Sequence, residues 1–273
     1  MPALSSICRS DKAKTLLNNI RLIFPVWKDK GQYVADVTNK LSLQFNDDLE
    51  TRIFLYGYKI IPAGTMDTFA SGVLVYGVSR FTSLVRWFRV GDRKYTVKGR
   101  FGTQTSTYDA TGDVVETAPY EHITATEMQN VFAKFLGEFE QDRPPPDGML
   151  TSKEAAPLVA NLRRPVICHS ITLSALDPPN FTLEVHCGAG CNMRSLVHHI
   201  GKALGSWAHV TSLERHQHGP FTLEHALPSY RWSWEEVVAH SEALHPLWYP
   251  YMIETAKSMG GKRHIYEGLA QYR

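Results

Sequence analysis

Hydrophobic and polar positions alternate most regularly in RKYTVKGRF, residues 93 to 101. Tyr95, Val97, Gly99 and Phe101 fall on one side, and Lys94, Thr96, Lys98 and Arg100 on the other. That period of two predicts a half-buried strand. FTLEVHC at 181 to 187 alternates in the same way, with 165 to 173 expected as its partner. LIFPVW at 22 to 27 reads as a short apolar strand closed by the polar turn KDKG. Residues 34 to 45 are expected to be helical, and a hydrophobic run at Val73, Leu74 and Val75 leads to a helix bearing Leu84, Val85 and Phe88. Thr124 and Glu127 form a capping-box pattern. Met128, Val131, Phe132, Phe135, Leu136 and Phe139 then recur at helical spacing, predicting one helix over 124 to 139. Residues 102 to 116 carry turn chemistry, and the three prolines of QDRPPPDG at 141 to 148 exclude regular structure there. A further helix is expected over 194 to 204 with Leu196, Val197, Ile200 and Leu204 inward, and the chain after residue 230 reads as helical and aromatic. The sum is an α+β fold with a mixed or antiparallel sheet flanked by helices.

A chain of 273 residues with 43% hydrophobic content is long enough for a substantial core, as one large domain or two small ones. The net charge of +2 excludes no partner class, because local patches matter more than totals for nucleic-acid binding. Cys8, Cys168, Cys187 and Cys191 are few and irregularly spaced, as in a protein with reduced thiols. No apolar stretch reaches the roughly 18 residues of a membrane span, so no membrane association is expected. The first residues are basic and bear serine: Arg9, Lys12, Lys14 and Arg21 stand against Asp11. They read as an organellar targeting segment or as an ordinary basic arm, over residues 1 to 21.

Neither a Walker loop nor a GxGxxG after a strand is present, so nucleotide cofactors have no support. Cys187 and Cys191 with His186, His198 and His199 suggest zinc only loosely, since a second ligand pair at standard spacing is missing. Cys187 as a core residue, Cys191 as a turn residue and the paired histidines as a helix surface is the simpler reading, and no metal is expected. Ser71 lies in no Gly-x-Ser-x-Gly elbow.

Asp67 stands out, a lone carboxylate in the small and apolar run AGTMDTFASGVLVYGV. It is either a helix N-cap or an acid left accessible, by Gly64, Ala70 and Gly72, to a flat ligand. Between Arg80 and Arg100 seven basic residues, Arg86, Lys94 and Lys98 among them, stand against Asp92 alone. Phe81, Trp87, Phe88 and Tyr95 are interleaved, a composition suited to phosphates and bases or to a solvated face over a core stripe.

Together these segments resemble the TruB family of RNA pseudouridine synthases. GTMDTFASGVL matches the family's Gly-x-x-Asp-x-x-Ala-x-Gly-x-Leu pattern, KYTVKGRFG its basic-aromatic strand, and TQTSTYDATGDVVE its Thr-Asp-Thr-x-Asp-x-x-Gly segment. LEVHCGAGCNMRSLVHHIGKALG is similar to its strand, turn and arginine-led helix, AHVTSLERHQHGPFTLEHAL continues the match, and VWKDKG echoes its Lys-Pro-x-Gly motif. The resemblance implies isomerisation of uridine to pseudouridine in RNA, with no cofactor. It puts Asp67 at the nucleophile, Tyr95 on the target base, Arg194 on the arginine that pairs with the nucleophile, and Leu213 on the pocket wall. Lys28, Arg80, Arg86, Lys94 and Lys98 are the expected RNA contacts. ASGVLVYGV and LVHHIG lean toward a mitochondrial branch, which implies a mitochondrial location, against a nuclear or cytoplasmic one. It also implies mitochondrial ribosomal subunits or assembly factors as partners.

Four positions depart from the pattern. Asp29 stands for a proline, Pro62 for a histidine that helps displace the target base, Ser106 for an aspartate and Asn192 for an aromatic. The last three motivate an alternative, a catalytically reduced RNA-binding factor in mitochondrial ribosome assembly. The expected domain is residues 22 to 230, followed by a helical extension over 231 to 273 without the small β-rich RNA-binding domain (PUA) of bacterial relatives.

Overall fold

The computed structural model describes residues 21 to 48, 59 to 144 and 163 to 260. The basic N-terminal segment up to residue 20 and residues 145 to 148 of the proline loop lie outside them. In chain order the first elements are β1 (Arg21–Lys28), α1 (Val34–Asp48), β2 (Ile60–Pro62), β3 (Ser71–Ser79) and α2 (Val85–Arg89). Next come β4 (Arg93–Phe101), β5 (Thr103–Thr105), β6 (Val114–Thr117), α3 (Ala125–Phe132) and β7 (Gly137–Gln141). The chain continues with β8 (Arg164–Asp177), β9 (Asn180–Cys187), α4 (Met193–Ala203), β10 (Ala208–His218) and β11 (Phe221–Thr222), and ends in α5 (Trp234–Ala243) and α6 (His245–Ser258). The fold is α+β, as the pattern predicts.

The chain divides into two compact units, Met1–Gly91 with Gln217–Arg273, and Asp92–His216. In the first, β3 is the central strand, with β1 antiparallel to it from Arg21↔Ser79 to Lys28↔Gly72 and β2 paired at Ile60↔Val78. Seven consecutive residues of β3 are buried, because both of its faces are covered. Leu22, Phe24, Leu74 and Tyr76 pack with Val37 and Leu41 of α1 and Val237 of α5. Val73, Val75, Phe81 and Phe88 pack with Trp248 and Met252 of α6. The aromatic C-terminal helices thus complete this core. Pro250 lies inside α6.

In the second unit the strand order is β10-β4-β9-β8-β7. β4 pairs β9 antiparallel from Arg93↔Cys187 to Arg100↔Asn180, and its burial alternates strictly, as its sequence does. Helix α4 carries Leu196, Val197 and Ile200 inward. Its N-cap is Asn192, whose side chain accepts from the Ser195 N–H at 3.1 Å. Asn192 therefore has a structural task where the family pattern has an aromatic.

The helix expected over 124 to 139 is shorter. Thr124 and Glu127 do form both halves of the capping box. The helix nevertheless ends at Phe132, followed by a single 3₁₀ turn over Ala133–Phe135. Leu136 is extended, Gly137 takes φ +77°, and the chain enters strand β7. Phe135 and Phe139 meet edge to face at 5.6 Å across this break, so their spacing of four does not report a helix.

A candidate active site and its surroundings

Asp67 lies in the loop between β2 and β3, half-buried and preceding no helix. The N-cap alternative is thereby removed. The loop is fixed by main-chain bonds: Ala63 N–H to Val75 O at 2.7 Å, Ala70 N–H to Asp67 O at 3.1 Å, and Gly31 N–H to Thr68 O at 2.9 Å. Gly64 and Gly72 bracket it at φ +140° and +116°, a region that favours glycine. Phe69 and Ala70 anchor it in the core.

Beneath the loop sits Lys28, fully buried. Its ammonium donates to the carbonyl oxygens of Ala70 at 2.6 Å, Asp29 at 3.1 Å and Thr68 at 3.2 Å. The assignment of Lys28 to RNA phosphates is therefore corrected: it holds the Asp67 loop in shape. A buried ammonium is tolerable only when its hydrogens are satisfied, as here.

The remaining basic positions separate. Arg86 is exposed, with its guanidinium 4.6 Å from the Trp87 ring centre. The Arg80 side chain lies outside what is described. Lys94 and Lys98 are exposed on the outer face of β4, and Arg93, from the same run, is buried. That outer face is not purely basic. Thr96 hydroxyl donates to Glu184 at 2.7 Å, and His216 lies 3.1 Å from Glu214.

Arg194, the second residue of α4, is 4% exposed, which is no place for a surface cation. Its Nη1 donates to the Thr107 carbonyl at 2.9 Å and lies 3.8 Å from the Asp109 carboxylate, itself 1% exposed. Asp109 also accepts from the Thr107 hydroxyl at 2.9 Å and the Thr111 N–H at 2.8 Å. The segment is stapled to β10 by Ala110 N–H to Val210 O at 2.9 Å and Val210 N–H to Tyr108 O at 3.0 Å. Gly112 is required here, since a Cβ would meet the Thr107 amide nitrogen at 2.7 Å. Sequence reasoning aligned this stretch but did not single out Asp109; its signal was the second aspartate of the matched segment. Ser106, the departure in that segment, accepts from the Asp113 N–H at 3.1 Å and so closes the turn.

Tyr95 faces inward on β4, and Leu213 and Arg215 do so on the neighbouring β10. Burial pushes the Tyr95 hydroxyl above its ordinary pKa, against the opposing pull of the Arg215 guanidinium hydrogen-bonded to it. Tyr95 is thus a neutral phenol at physiological pH. Among the described residues of this unit, the buried arginines and carboxylates are Arg93, Arg194 and Arg215, with Asp109.

The paired histidines are not a helix surface, contrary to expectation. His198 is 6% exposed, stacked on Tyr108 at 3.9 Å and 8° and on Trp207 at 5.5 Å and 15°. Tyr108 takes φ +62°, a conformation seldom seen for a bulky residue. His199 reaches Asp142 at 3.2 Å. Cys168, Cys187 and Cys191 are buried free thiols, and burial raises Cys168 to about 12, which excludes Cys168 as a nucleophile at neutral pH.

A family model described as the N-terminal domain of TruB family pseudouridylate synthase matches residues 52–193, and one for the C-terminal domain of tRNA pseudouridylate synthase B matches 194–249. The chain is 36% identical over 250 residues to the pseudouridylate synthase TRUB1 of Homo sapiens, covering 85% of this chain and 72% of that protein. It is 32% identical over 178 residues to the tRNA pseudouridine synthase B of Syntrophotalea carbinolica, covering 62% and 58%. Among solved structures, a chain of a Cbf5-Nop10-Gar1 complex shares the fold with TM-score 0.55 at 22% identity. That likeness covers 80% of this chain and 55% of the other.

Proposed function

This chain belongs to the TruB family of pseudouridine synthases, enzymes that isomerise uridine to pseudouridine in RNA, and we propose that Asp67 is the nucleophile with which it does so. The observation that supports this is the Asp67 loop. An acid that precedes no helix sits on a loop shaped by a buried lysine and two positive-φ glycines. That is a large structural outlay for a carboxylate with no capping role.

In this reading the ionised Asp67 attacks the nucleotide, the uracil detaches and turns, and the bond re-forms through carbon. A ring-carbon proton leaves and a ring nitrogen gains one, so atoms and charge balance without a cofactor. Arg194 supplies the positive charge that keeps the acid ionised. Tyr95 packs on the base as a neutral phenol, which suits it to stacking and hydrogen-bond donation and not to a standing base. Leu213 walls the pocket. Exposed Arg86, Lys94 and Lys98 meet phosphates, and the target base leaves its stack before reaction.

The substrate we propose is mitochondrial RNA, transfer, messenger or ribosomal, with an assembling mitochondrial ribosomal subunit among the partners. The basic, serine-bearing start of the chain supports this location. No helix among the described residues is long and apolar enough to cross a membrane.

The test is pseudouridine mapping on RNA treated with purified protein. Asp67→Asn is expected to lower the rate by about 10⁴-fold or more with folding intact. An Asn variant that still converts uridine would remove Asp67 from the role. For the location, unchanged pseudouridine in mitochondrial RNA after depletion would refute the proposal.

A further inference from the structure

On the outer face of the second unit three potential metal ligands converge, from three neighbouring strands. His169 lies on β8, His186 on β9, and Asp92 immediately before β4. His169 Nε2 is 3.3 Å from one Asp92 carboxylate oxygen, and His186 Nε2 is 3.3 Å from the other. The two imidazole rings are 4.6 Å apart, and one ligand atom from each residue fits within 4.8 Å of the others.

The geometry points to a divalent transition-metal site of the zinc type formed by His169, His186 and Asp92. Bonds of about 2.0–2.1 Å in a tetrahedron put neighbouring donors roughly 3.3 Å apart, the separation already present between each imidazole and the carboxylate. Two neutral imidazoles and a carboxylate suit zinc, cobalt, nickel or copper, and suit magnesium or calcium poorly.

The backbone has arranged this convergence. Cys168 pairs with Cys187 and Ser170 with His186, so His169 is the extra residue of a β-bulge. A bulge re-aims side chains and breaks the alternation of faces. Here His169 and Ser170 are both exposed in succession, while Cys168 and Cys187 remain on the buried side. Asp92 reaches the cluster because Arg93 pairs with Cys187 and Lys94 with His186. Ligands carried by a paired sheet are held more firmly than ligands on loops. With all three side chains between 33% and 50% exposed, an exchanging ion has access, and a water can complete the coordination. As a bare surface ion pair the cluster would contribute little. With a metal it would clamp the start of β4 to β8 and β9. It uses none of the residues assigned to catalysis.

The experiment takes the full chain, stripped with a chelator and titrated with zinc by calorimetry and with cobalt(II) by visible absorption. The expected result is one tight equivalent, a low-coordinate cobalt spectrum, and a rise in melting temperature with zinc but not with magnesium. His169→Ala, His186→Ala and Asp92→Asn are each expected to weaken binding at least about tenfold. All three positions are solvent-facing, so the apo melting temperature of each variant checks that it folds. Binding in several weak equivalents, or binding unchanged in the His169→Ala/His186→Ala double variant, would overturn the site. Pseudouridine formation by the stripped protein is a separate readout, so failure here leaves the catalytic proposal standing.

Discussion

The two units bury their cations in opposite ways. In the first, Lys28 spends its ammonium on main-chain carbonyls of Asp29, Thr68 and Ala70. In the second, Arg194 faces a side-chain carboxylate, Asp109, as well as the Thr107 carbonyl. One arrangement shapes a loop and the other fixes a charge. A loop shaped by carbonyl bonds keeps its position only as long as every bond holds. A guanidinium set against a buried acid keeps its orientation through electrostatics, and each partner becomes costly without the other.

The sharpest way to break this comparison is on the charge side. Asp109→Asn keeps the volume and part of the hydrogen bonding but leaves Arg194 without that opposing charge. Loss of one member of this buried pair is expected to destabilise the protein by about 3–4 kcal/mol, with Arg194 keeping its bond to the Thr107 carbonyl. Urea unfolding followed through Trp207, which stacks on His198 in the same unit, measures it. A variant as stable as the parent would show that the 3.8 Å Arg194–Asp109 approach carries no energy.

On the loop side, Lys28→Met removes the donor to three carbonyls with little change of volume. The expected loss is about 3 kcal/mol, because unsatisfied buried acceptors cost on the order of 1–3 kcal/mol each and part of the cost relaxes. The turnover number should fall more than KM rises, since the loop places Asp67 and is not proposed to bind the remote RNA. Equal changes in both would instead make Lys28 a general support of the fold.

How much of this was visible beforehand follows from which forces act locally. β4 was legible because burial on one face imposes a period of two on its sequence, whereas α4 was legible from the spacing of Leu196, Val197 and Ile200 although Arg194 and His198 are buried beside them. The Asp67 loop was legible as an anomaly of composition. The end of α3 was not, since the helix stops at Phe132 although Phe135, Leu136 and Phe139 continue its period. β10 was not either: its inward positions include Arg215 and His218, so polar residues stand where apolar ones would mark a strand. Asp109 and Lys28 depended on partners distant in sequence, Arg194 for the first and Thr68 and Ala70 for the second. The bulge that turns His169 outward depends likewise on pairing between strands.

The mildest test uses His198, a buried histidine of α4 on which desolvation outweighs the opposing pull of Asp142. Burial is the main cause that pushes His198 from its ordinary 6.5 to about 4, with further lowering from His199 and Lys202. A base with a depressed folded-state pKa stabilises the protein fully above pH 6.5. Below that the unfolded chain binds a proton that the folded chain refuses, so stability falls as pH drops toward 4. The expected loss over this window is about 2 kcal/mol, with His199 and His240 adding slope in the same direction because burial lowers both. His198→Phe keeps an aromatic ring between Tyr108 and Trp207 and removes the titration, so it should flatten part of the slope between pH 6.5 and 4. An unchanged slope would mean that His198 is protonated in the folded state at the ordinary pH. The stack would then hold a cation against two aromatic faces, and the second unit would carry a further buried charge beside its three arginines.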